Sequence, residues 1–392
     1  MGGKAILILV IGVSYIITTF NMKTGNNSTV VLENYIDYYS RARSHQIAVS
    51  GMNIAAAKLY EDLTWRTAMT NVPLSGGVFN ATFTDVGDTL KVVSTTSFNN
   101  VEDSVIAYFT ASNNLLDYTL FTEDENGVAW VSGDSIFGPI HTNGTLNHGN
   151  KSDIVFTGKV TAGKGISPPP KTAKTQFLGG TETGVYINGV SDINKLINAS
   201  TSGGWNYVSG GNTLTIEINN DGTVDVYENS TKLYDDTSLS ALTGNGTIYT
   251  DGDLVITGGG NLDTDYGGVT IGAGGTITLE DDIHYYDNPL TNPSSDDLLA
   301  LVAWNDIIFD NSSKSDWYIQ SVLMTVTGSL TATNMNKAGS FNYLGSVYQE
   351  DRGNAKMFQS FQKKYYHDER LHTYVPPAYP GGGNLRLVYW YE

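Results

Sequence analysis

The sequence predicts a mainly β protein in which a long N-terminal helix precedes a β-solenoid body. An uncharged apolar stretch lies near the N-terminus, and apolar residues at helical spacing follow it. From Trp130 onward, short apolar triplets alternate with Gly, Asn and Asp. The first two patterns are typical of helices, and the third is typical of short strands joined by tight turns.

Composition narrows the function classes. The chain has 392 residues, enough for two or more folded units. Its 40 acidic residues outnumber 22 basic ones and give a net charge of −18, which argues against nucleic acid as a partner because a polyanion would be repelled. The absence of cysteine excludes disulfides and thiolate metal sites.

Residues 1–28 are predicted to form an apolar helix for assembly or membrane insertion. From Ala5 to Phe20 no residue is charged, and at 1.5 Å per residue this stretch would span about 24 Å, short of the roughly 30 Å of a bilayer core. Asn21 and Met22 extend it. The large apolar residues of this helix are Ile6, Leu7, Ile8, Leu9, Val10, Ile11, Val13, Ile16, Ile17 and Phe20.

Three interpretations of this stretch compete. It could be a cleaved signal peptide, with Lys4 as the positive residue, although a small-x-small cleavage site is hard to place. It could be a simple membrane anchor. The third interpretation is an assembly helix that lies in the membrane first and then packs against its copies in a filament. The amphipathic helix predicted after this stretch favours the third interpretation.

A helix break is predicted at Gly25, Asn26 and Asn27, followed by an amphipathic helix over residues 29–70. Its end is expected near Met69, before Pro73. Asp37 and Arg41 are placed for an i,i+4 ion pair. Two apolar stripes at spacings of four, three and four define the predicted face: Val31, Tyr35, Tyr38 and Ala42, then Met52, Ala56, Leu59 and Leu63.

These residues carry a family resemblance. GKAILILVIGVSYIITTF and YYSRARSHQIAVSGMNIAAAKLY resemble the N-terminus of type IV pilin-like proteins, especially pilus-assembly minor pilins of the PilX type, over about the first 65 residues. Counted from Met1, Ala5 stands where pilins commonly carry Glu. The resemblance implies copies of the chain, other pilins and assembly machinery as partners.

The remaining chain is predicted as a β-rich connecting region (71–128), a solenoid body (129–345) and a C-terminal cap (346–392). The segment TLTIEINNDGTVDVYEN predicts a hairpin turning at Asn220-Asp221-Gly222, within an insertion over about 205–238 that projects from the solenoid. The C-terminal LRLVYWY is predicted to cap the last rung, and docking onto a neighbouring subunit is the alternative.

A second resemblance concerns this body. GPIHTNGTL, IYTDGDLVITGG, VTIGAGGTITLEDDIHYYDNP, DDLLALVAWNDIIFDN, YLGSVYQEDRG, KKYYHDERL and VPPAYP occur in this order. The series looks like the β-helix ectodomain of an uncharacterised bacterial family that is often attached to PilX-like N-termini. This likeness implies a right-handed parallel β-helix and supplies no catalytic residues.

No metal site, cofactor or catalytic residue is predicted. His141 and His148 are metal suspects, but hydrogen bonding at turns explains them better because no third ligand is nearby. The acidic pairs are expected to be solvated turn residues, with calcium binding as the alternative. These pairs are Asp251 and Asp253, Asp263 and Asp265, Asp281 and Asp282, and Asp296 and Asp297.

The sequence therefore predicts a structural subunit of an extracellular pilus-like filament, located in the inner membrane before assembly and at the cell surface afterwards. A minor pilin or tip adhesin that binds a surface or glycan is the first alternative. A membrane-anchored β-helix enzyme that processes glycans is the second, and three or more carboxylates in one groove would favour it.

Overall fold

A computed structural model describes residues 2–61, 65–86, 89–111, 114–149, 153–170, 174–190, 192–264, 267–333, 339–353, 361–381 and 385–391. The chain divides into two compact units. Unit 1 comprises Met1–Ser112 and Asn384–Glu392, and unit 2 comprises Asn113–Gly383.

Unit 1 combines a long helix, α1 (Gly2–Glu61), with a five-stranded antiparallel sheet. Alternate residues of its central strands, such as Phe79 and Val92, are buried because successive side chains of a strand point to opposite faces. One face of the sheet packs against the C-terminal part of α1. In spatial order the strands are β1 (Met69–Leu74), β2 (Gly77–Val86), β3 (Thr89–Phe98), β4 (Val101–Ala111) and β30 (Leu385–Tyr391).

Helix α1 corrects two predictions. It runs without interruption through Gly25, Asn26 and Asn27, so the predicted break was wrong. Glycine lowers helix stability by about 1 kcal/mol but, unlike proline, keeps its backbone N–H and does not clash with the preceding turn. The helix ends at Glu61 and strand β1 begins at Met69, so the predicted helix over 29–70 was too long.

Unit 2 is built mainly from parallel strands in a fourteen-stranded and a seven-stranded sheet. The fourteen-stranded sheet contains β5 (Leu120–Asp124), β6 (Ser135–Phe137), β7 (Ile140–Thr142), β9 (Val155–Phe156), β10 (Val160–Ala162), β12 (Gln176–Phe177), β13 (Thr181–Thr183), β14 (Trp205–Tyr207), β18 (Thr247–Thr250), β21 (Val269–Ala273), β24 (Leu299–Ala303), β26 (Trp317–Thr325), β28 (Ser340–Asp351) and β29 (Gln362–His367). The seven-stranded sheet contains β15 (Leu214–Ile218), β16 (Val224–Glu228), β17 (Thr231–Thr237), β19 (Leu254–Thr257), β22 (Ile277–Leu279), β25 (Ile307–Asp310) and β27 (Leu330–Thr333).

Smaller elements complete unit 2. Strands β8 (Thr145–Asn147) and β11 (Gly165–Ser167) form one parallel pair, and β20 (Asn261–Leu262) and β23 (His284–Tyr285) form another. In the described part of unit 2, the α-helices are α2 (Asn194–Ser202) and α3 (Leu239–Leu242), and 3-10 turns cover Leu115–Asp117 and Glu369–His372.

Strand β28 joins the early and late parts of unit 2. Its second half pairs in parallel with β5 and its first half with β29. One buried aliphatic ladder therefore runs in register through both parts of the sheet. The ladder comprises Ile248, Ile271, Leu301, Leu323, Val347, Leu120, Ile140 and Val160.

This topology corrects the predicted cap at 346–392. Residues 346–351 lie in β28 inside the large sheet, and the C-terminal strand β30 pairs with β4 in unit 1. An apolar alternating strand can complete any open sheet edge of matching pattern, and the sequence does not say which edge that is.

The predicted hairpin is present but does not project. Strands β15 and β16 pair antiparallel on either side of Asn220-Asp221-Gly222, and β17 adds a third antiparallel strand. Strand β15 also pairs in parallel with β19, which makes the hairpin the edge of the seven-stranded sheet. The alternating apolar residues Leu214, Ile216 and Val226 are buried core residues, and burying them requires a place in the sheet.

Candidate functional site

The C-terminal part of α1 is anchored on the sheet of unit 1. Its buried stripe has spacings of four, four, four, three and four, so its members share one helix face. The Ser44 hydroxyl in this stripe donates a hydrogen bond to the Val101 carbonyl (3.1 Å), and His45 contacts Asp103 at 3.0 Å. The stripe comprises Ser40, Ser44, Ala48, Met52, Ala55 and Leu59.

The N-terminal part of α1 is exposed on every face, although it is the most apolar stretch of the chain. Ile8 is 71% exposed and Phe20 69%. No described residue of unit 1 buries the ten large side chains predicted for assembly. These residues are Ile6, Leu7, Ile8, Leu9, Val10, Ile11, Val13, Ile16, Ile17 and Phe20, and we call them the apolar segment.

The apolar segment has the dimensions of a membrane span. Between Lys4 and Lys23 lie 18 uncharged residues, or about 27 Å of helix, and α1 is long and apolar enough to cross a membrane. Hydroxyl groups within and just beyond this stretch bond to the carbonyl one turn earlier, as Thr18 does to Ser14 (2.8 Å) and Thr24 to Phe20 (2.9 Å). Such bonds satisfy polar groups where water is absent.

The predicted amphipathic face divides into two parts. Met52 and Leu59 are buried against the sheet, whereas Val31, Tyr35 and Tyr38 are each at least 66% exposed. Leu63 lies outside the described residues. The exposed part is a second apolar patch on α1, separated from the apolar segment by the polar residues 23–29.

In unit 2 both histidines singled out from the sequence have hydrogen bonds at both ring nitrogens. His141 contacts the Thr161 hydroxyl (2.7 Å) and the Asn143 amide oxygen (2.9 Å). His148 contacts the Thr175 hydroxyl (2.9 Å) and the Pro168 carbonyl (2.7 Å). Neither ring has a nitrogen left for a metal.

The acidic pairs bind turns and lysine within the chain. Asp251 accepts hydrogen bonds from the Ser209 N–H and hydroxyl, and Asp253 accepts one from the Thr276 N–H. Asp265 lies outside the described residues.

Lys314 joins one of these pairs, since its Nζ lies 2.6 Å from Asp281 and 2.8 Å from Asp282. Burial raises the pKa of Asp282, but hydrogen bonds from His284, Lys314 and the Tyr318 N–H outweigh it and lower the pKa overall. For Asp297 burial dominates and raises the pKa.

A cleft of about 530 Å³ brings together two carboxylates that the sequence analysis did not single out, Glu123 on β5 and Glu350 on β28. Burial, and then the charges of Glu123 and Asp351, raise the pKa of Glu350. Asn143 donates to Glu123 at 2.5 Å. Among the described lining residues only these two are acidic, fewer than the three carboxylates that would favour a glycan-processing enzyme.

A second group that sequence reasoning missed lies in the string HDERLH. The side chains of His367, Glu369 and His372 converge, with potential ligand atoms within 4.8 Å of one another. Two histidines and a glutamate within six residues were the available signal, and it was passed over because no regular element was predicted there.

Comparison with known proteins gives little. No protein-family profile matches the chain, and neither does any curated protein. One similar solved structure is the competence-associated pilin ComZ from Thermus thermophilus, with a TM-score of 0.39 and 10% identity, covering 90% of this chain and 97% of that chain. A likeness this weak carries no argument about function.

Proposed function

We propose that this protein is a structural subunit of an extracellular pilus-like filament, in which the apolar segment of α1 packs against copies of itself. The observation that supports the proposal is the exposure of that segment on a helix anchored at its other end. Unit 1 holds α1 through the buried stripe from Ser40 to Leu59 and through an edge-on contact between the rings of Tyr39 and Phe98. The large apolar side chains that precede this anchored part, from Ile6 to Tyr38, remain exposed.

The energetics favour burial of the segment in an assembly or a bilayer. Removing its ten large side chains from water contributes roughly 15–25 kcal/mol gross. Ordinary soluble surfaces do not expose a contiguous apolar area of this kind. Val31, Tyr35 and Tyr38 form a second exposed apolar patch beyond the polar residues 23–29, which gives neighbouring copies a contact that a membrane span alone does not need.

The same segment suits the membrane before assembly. Lys4 and Lys23 flank the uncharged stretch, and lysines at such positions place their charges at the headgroups. Copies of the chain are the main partners in this proposal, with other pilins and assembly machinery as further ones. The chain would then move from the inner membrane to the cell surface.

Unit 2 would face outward from the filament. Its parallel sheets and in-register aliphatic ladder support the proposal that this body is a right-handed parallel β-helix. The net charge of −18 favours solubility and opposes nucleic-acid binding. In this role the body presents surface and supplies contacts between subunits, and catalysis is not part of the proposal.

The test combines electron microscopy with cross-linking. Because the chain has no cysteine, Val13→Cys introduces a single thiol into the apolar segment. Surface material sheared from the producing cells is imaged, its chains are identified by mass spectrometry, and a thiol cross-linker is added. We expect regular filaments composed mainly of this chain and cross-linked dimers through position 13.

Thr183→Cys, on the exposed strand β13 of unit 2, is the matched control for thiol accessibility. Chains found only in the membrane fraction would overturn the filament proposal in favour of a simple anchor. Chains confined to filament tips would overturn the major-subunit role in favour of a minor pilin or adhesin.

A further inference from the structure

We propose that His367, Glu369 and His372 form a binding site for a divalent transition metal, with Zn²⁺ as the ion best matched to the ligands. The site lies in unit 2, where the 3-10 turn Glu369–His372 contacts the 3-10 turn Leu115–Asp117. It is independent of the proposed filament role, since none of its residues belongs to α1.

His367 is the decisive residue. Its side chain is completely buried, and its Nε2 lies 2.7 Å from the carbonyl oxygen of Leu116. A carbonyl can only accept, so Nε2 must carry the proton and Nδ1 holds a lone pair. That Nδ1 is buried without a hydrogen-bond partner among the described residues, and it lies 3.9 Å from Oε1 of Glu369.

His372 is arranged in the same way. Its Nδ1 lies 3.2 Å from the Asp117 carboxylate, which accepts the ring proton there. The lone pair of Nε2 then lies 3.3 Å from Oε2 of Glu369. Two imidazole lone pairs and a carboxylate therefore converge, and a cation between them would satisfy all three.

The distances fit tetrahedral coordination. Zn²⁺ binds nitrogen and oxygen at about 2.0–2.1 Å, so neighbouring ligand atoms of a tetrahedral site lie about 3.3–3.4 Å apart. Nε2 of His372 lies at this distance, 3.3 Å, from Oε2 of Glu369, whereas Nδ1 of His367 lies 3.9 Å from the other carboxylate oxygen, Oε1. The potential ligand atoms of the two histidines lie within 4.8 Å of each other. Glu369 is 79% exposed, so its side chain can close the difference.

The surrounding groups match the outer shell of a metal site. Metal-binding histidines usually donate their second ring N–H to a carbonyl or carboxylate, which fixes the tautomer. The Leu116 carbonyl does this for His367, and Asp117 does it for His372. Two histidines and one glutamate leave the fourth position open to water or to a group from another molecule.

The other acidic cluster of the described chain provides a contrast. Asp225 and Asp235 each lie within hydrogen-bond distance of Lys232 Nζ, so an ammonium group already occupies that cluster. Among the described residues, no lysine or arginine forms an ion pair with Glu369 in the histidine cluster. Its convergence of lone pairs is what distinguishes it as a metal site.

The experiment is equilibrium dialysis of the full chain in detergent against Zn²⁺, with bound metal measured by mass spectrometry. We expect one high-affinity zinc per chain. His372→Ala and Glu369→Gln alter side chains that are 44% and 79% exposed, and each should weaken binding at least tenfold. Asp117→Asn, in the outer shell, should weaken it about tenfold.

His284→Ala is the matched control, because this partly exposed histidine pairs with Asp282 away from the cluster. It should leave zinc affinity and stoichiometry unchanged. Cobalt substitution supplies a second readout, since tetrahedral Co²⁺ absorbs visible light far more strongly than octahedral Co²⁺. No saturable zinc binding, or binding that survives both His372→Ala and Glu369→Gln, would overturn the proposal.

Discussion

Gly51 allows helix α1 to approach its sheet closely. A Cβ atom at this position would lie 2.6 Å from Cδ2 of Phe79 and 2.7 Å from Oγ of Ser94, and both of these residues are fully buried. We predict that Gly51→Ala destabilises unit 1 by about 1–2 kcal/mol. Three contacts under 3 Å indicate an overpacking cost of about 2–3 kcal/mol, and the better helix propensity of alanine returns about 1 kcal/mol.

Amide hydrogen exchange of β2 and β3 in the full chain measures this effect, since local protection reports the free energy of opening. The control is Gly12→Ala in the same helix, where the added Cβ would meet nothing within 4 Å. That substitution should leave exchange in the sheet unchanged. Unchanged exchange in Gly51→Ala would mean that the helix and sheet are not packed this closely.

For His141 and His148 the sequence indicated hydrogen bonding because no third metal ligand is nearby in the chain. Their partners Thr161 and Pro168 each lie 20 residues away, so the fold supplies the hydrogen bonds that the sequence could only suggest. The arrangement around His367 was not predictable. Leu116 and Asp117 lie about 250 residues earlier in the chain, and only the fold brings these two turns together.

At the scale of elements, α1 shows that a short cluster of residues with low helix propensity does not by itself end a helix. Gly25, Asn26 and Asn27 are poor helix formers, and so are the flanking Thr24 and Ser28, but the helix continues through all of them. Hydroxyl groups add bonds to the backbone here, as Ser28 donates to the Thr24 carbonyl (2.8 Å) and Thr29 to the Gly25 carbonyl (3.0 Å). The cluster is a weak point in the helix that does not break it.

We predict that Gly25→Ala strengthens this weak point. The new Cβ would have no neighbour within 4 Å, and alanine favours the helix by about 1 kcal/mol. Exchange of the amides of residues 25–32 should therefore slow about fivefold in the full chain. Gly51→Ala provides a control in the same helix, because it should leave these amides unaffected. Unchanged or faster exchange in Gly25→Ala would indicate that the chain leaves the helical conformation here.

At the scale of the whole molecule, the sequence predicted a long helix followed by a β-rich body, because both depend on local periodicity and turn residues. It did not predict the order in which strands stack. In-register partners lie at unequal separations, since Thr247 pairs with Thr270 and Thr270 pairs with Ala300. Loops of different lengths hide such a repeat from the sequence, and the pairing of Val347 with Leu120 spans most of unit 2.

Gly345 lies near the middle of β28, at the end of the part that pairs with β29 and just before the part that pairs with β5. Its φ is +150°, and a Cβ there would clash with the carbonyl oxygen of Ser321. We predict that Gly345→Ala destabilises unit 2 by about 3 kcal/mol, from backbone strain together with overpacking. Because one ladder joins both parts of the sheet, the amides of β7 and those of β24 should each lose about a hundredfold in protection from hydrogen exchange.

The control for this last substitution is Gly165→Ala, at a similar φ of +141° but with nothing within 4 Å of the added Cβ. It carries the backbone strain without the clash, so its effect should be about 1–2 kcal/mol. The prediction for Gly345→Ala would be contradicted if the amides of β24 lost exchange protection while those of β7 kept theirs. In that case the early and late strands would unfold independently, and their continuous ladder would not make unit 2 one cooperative body.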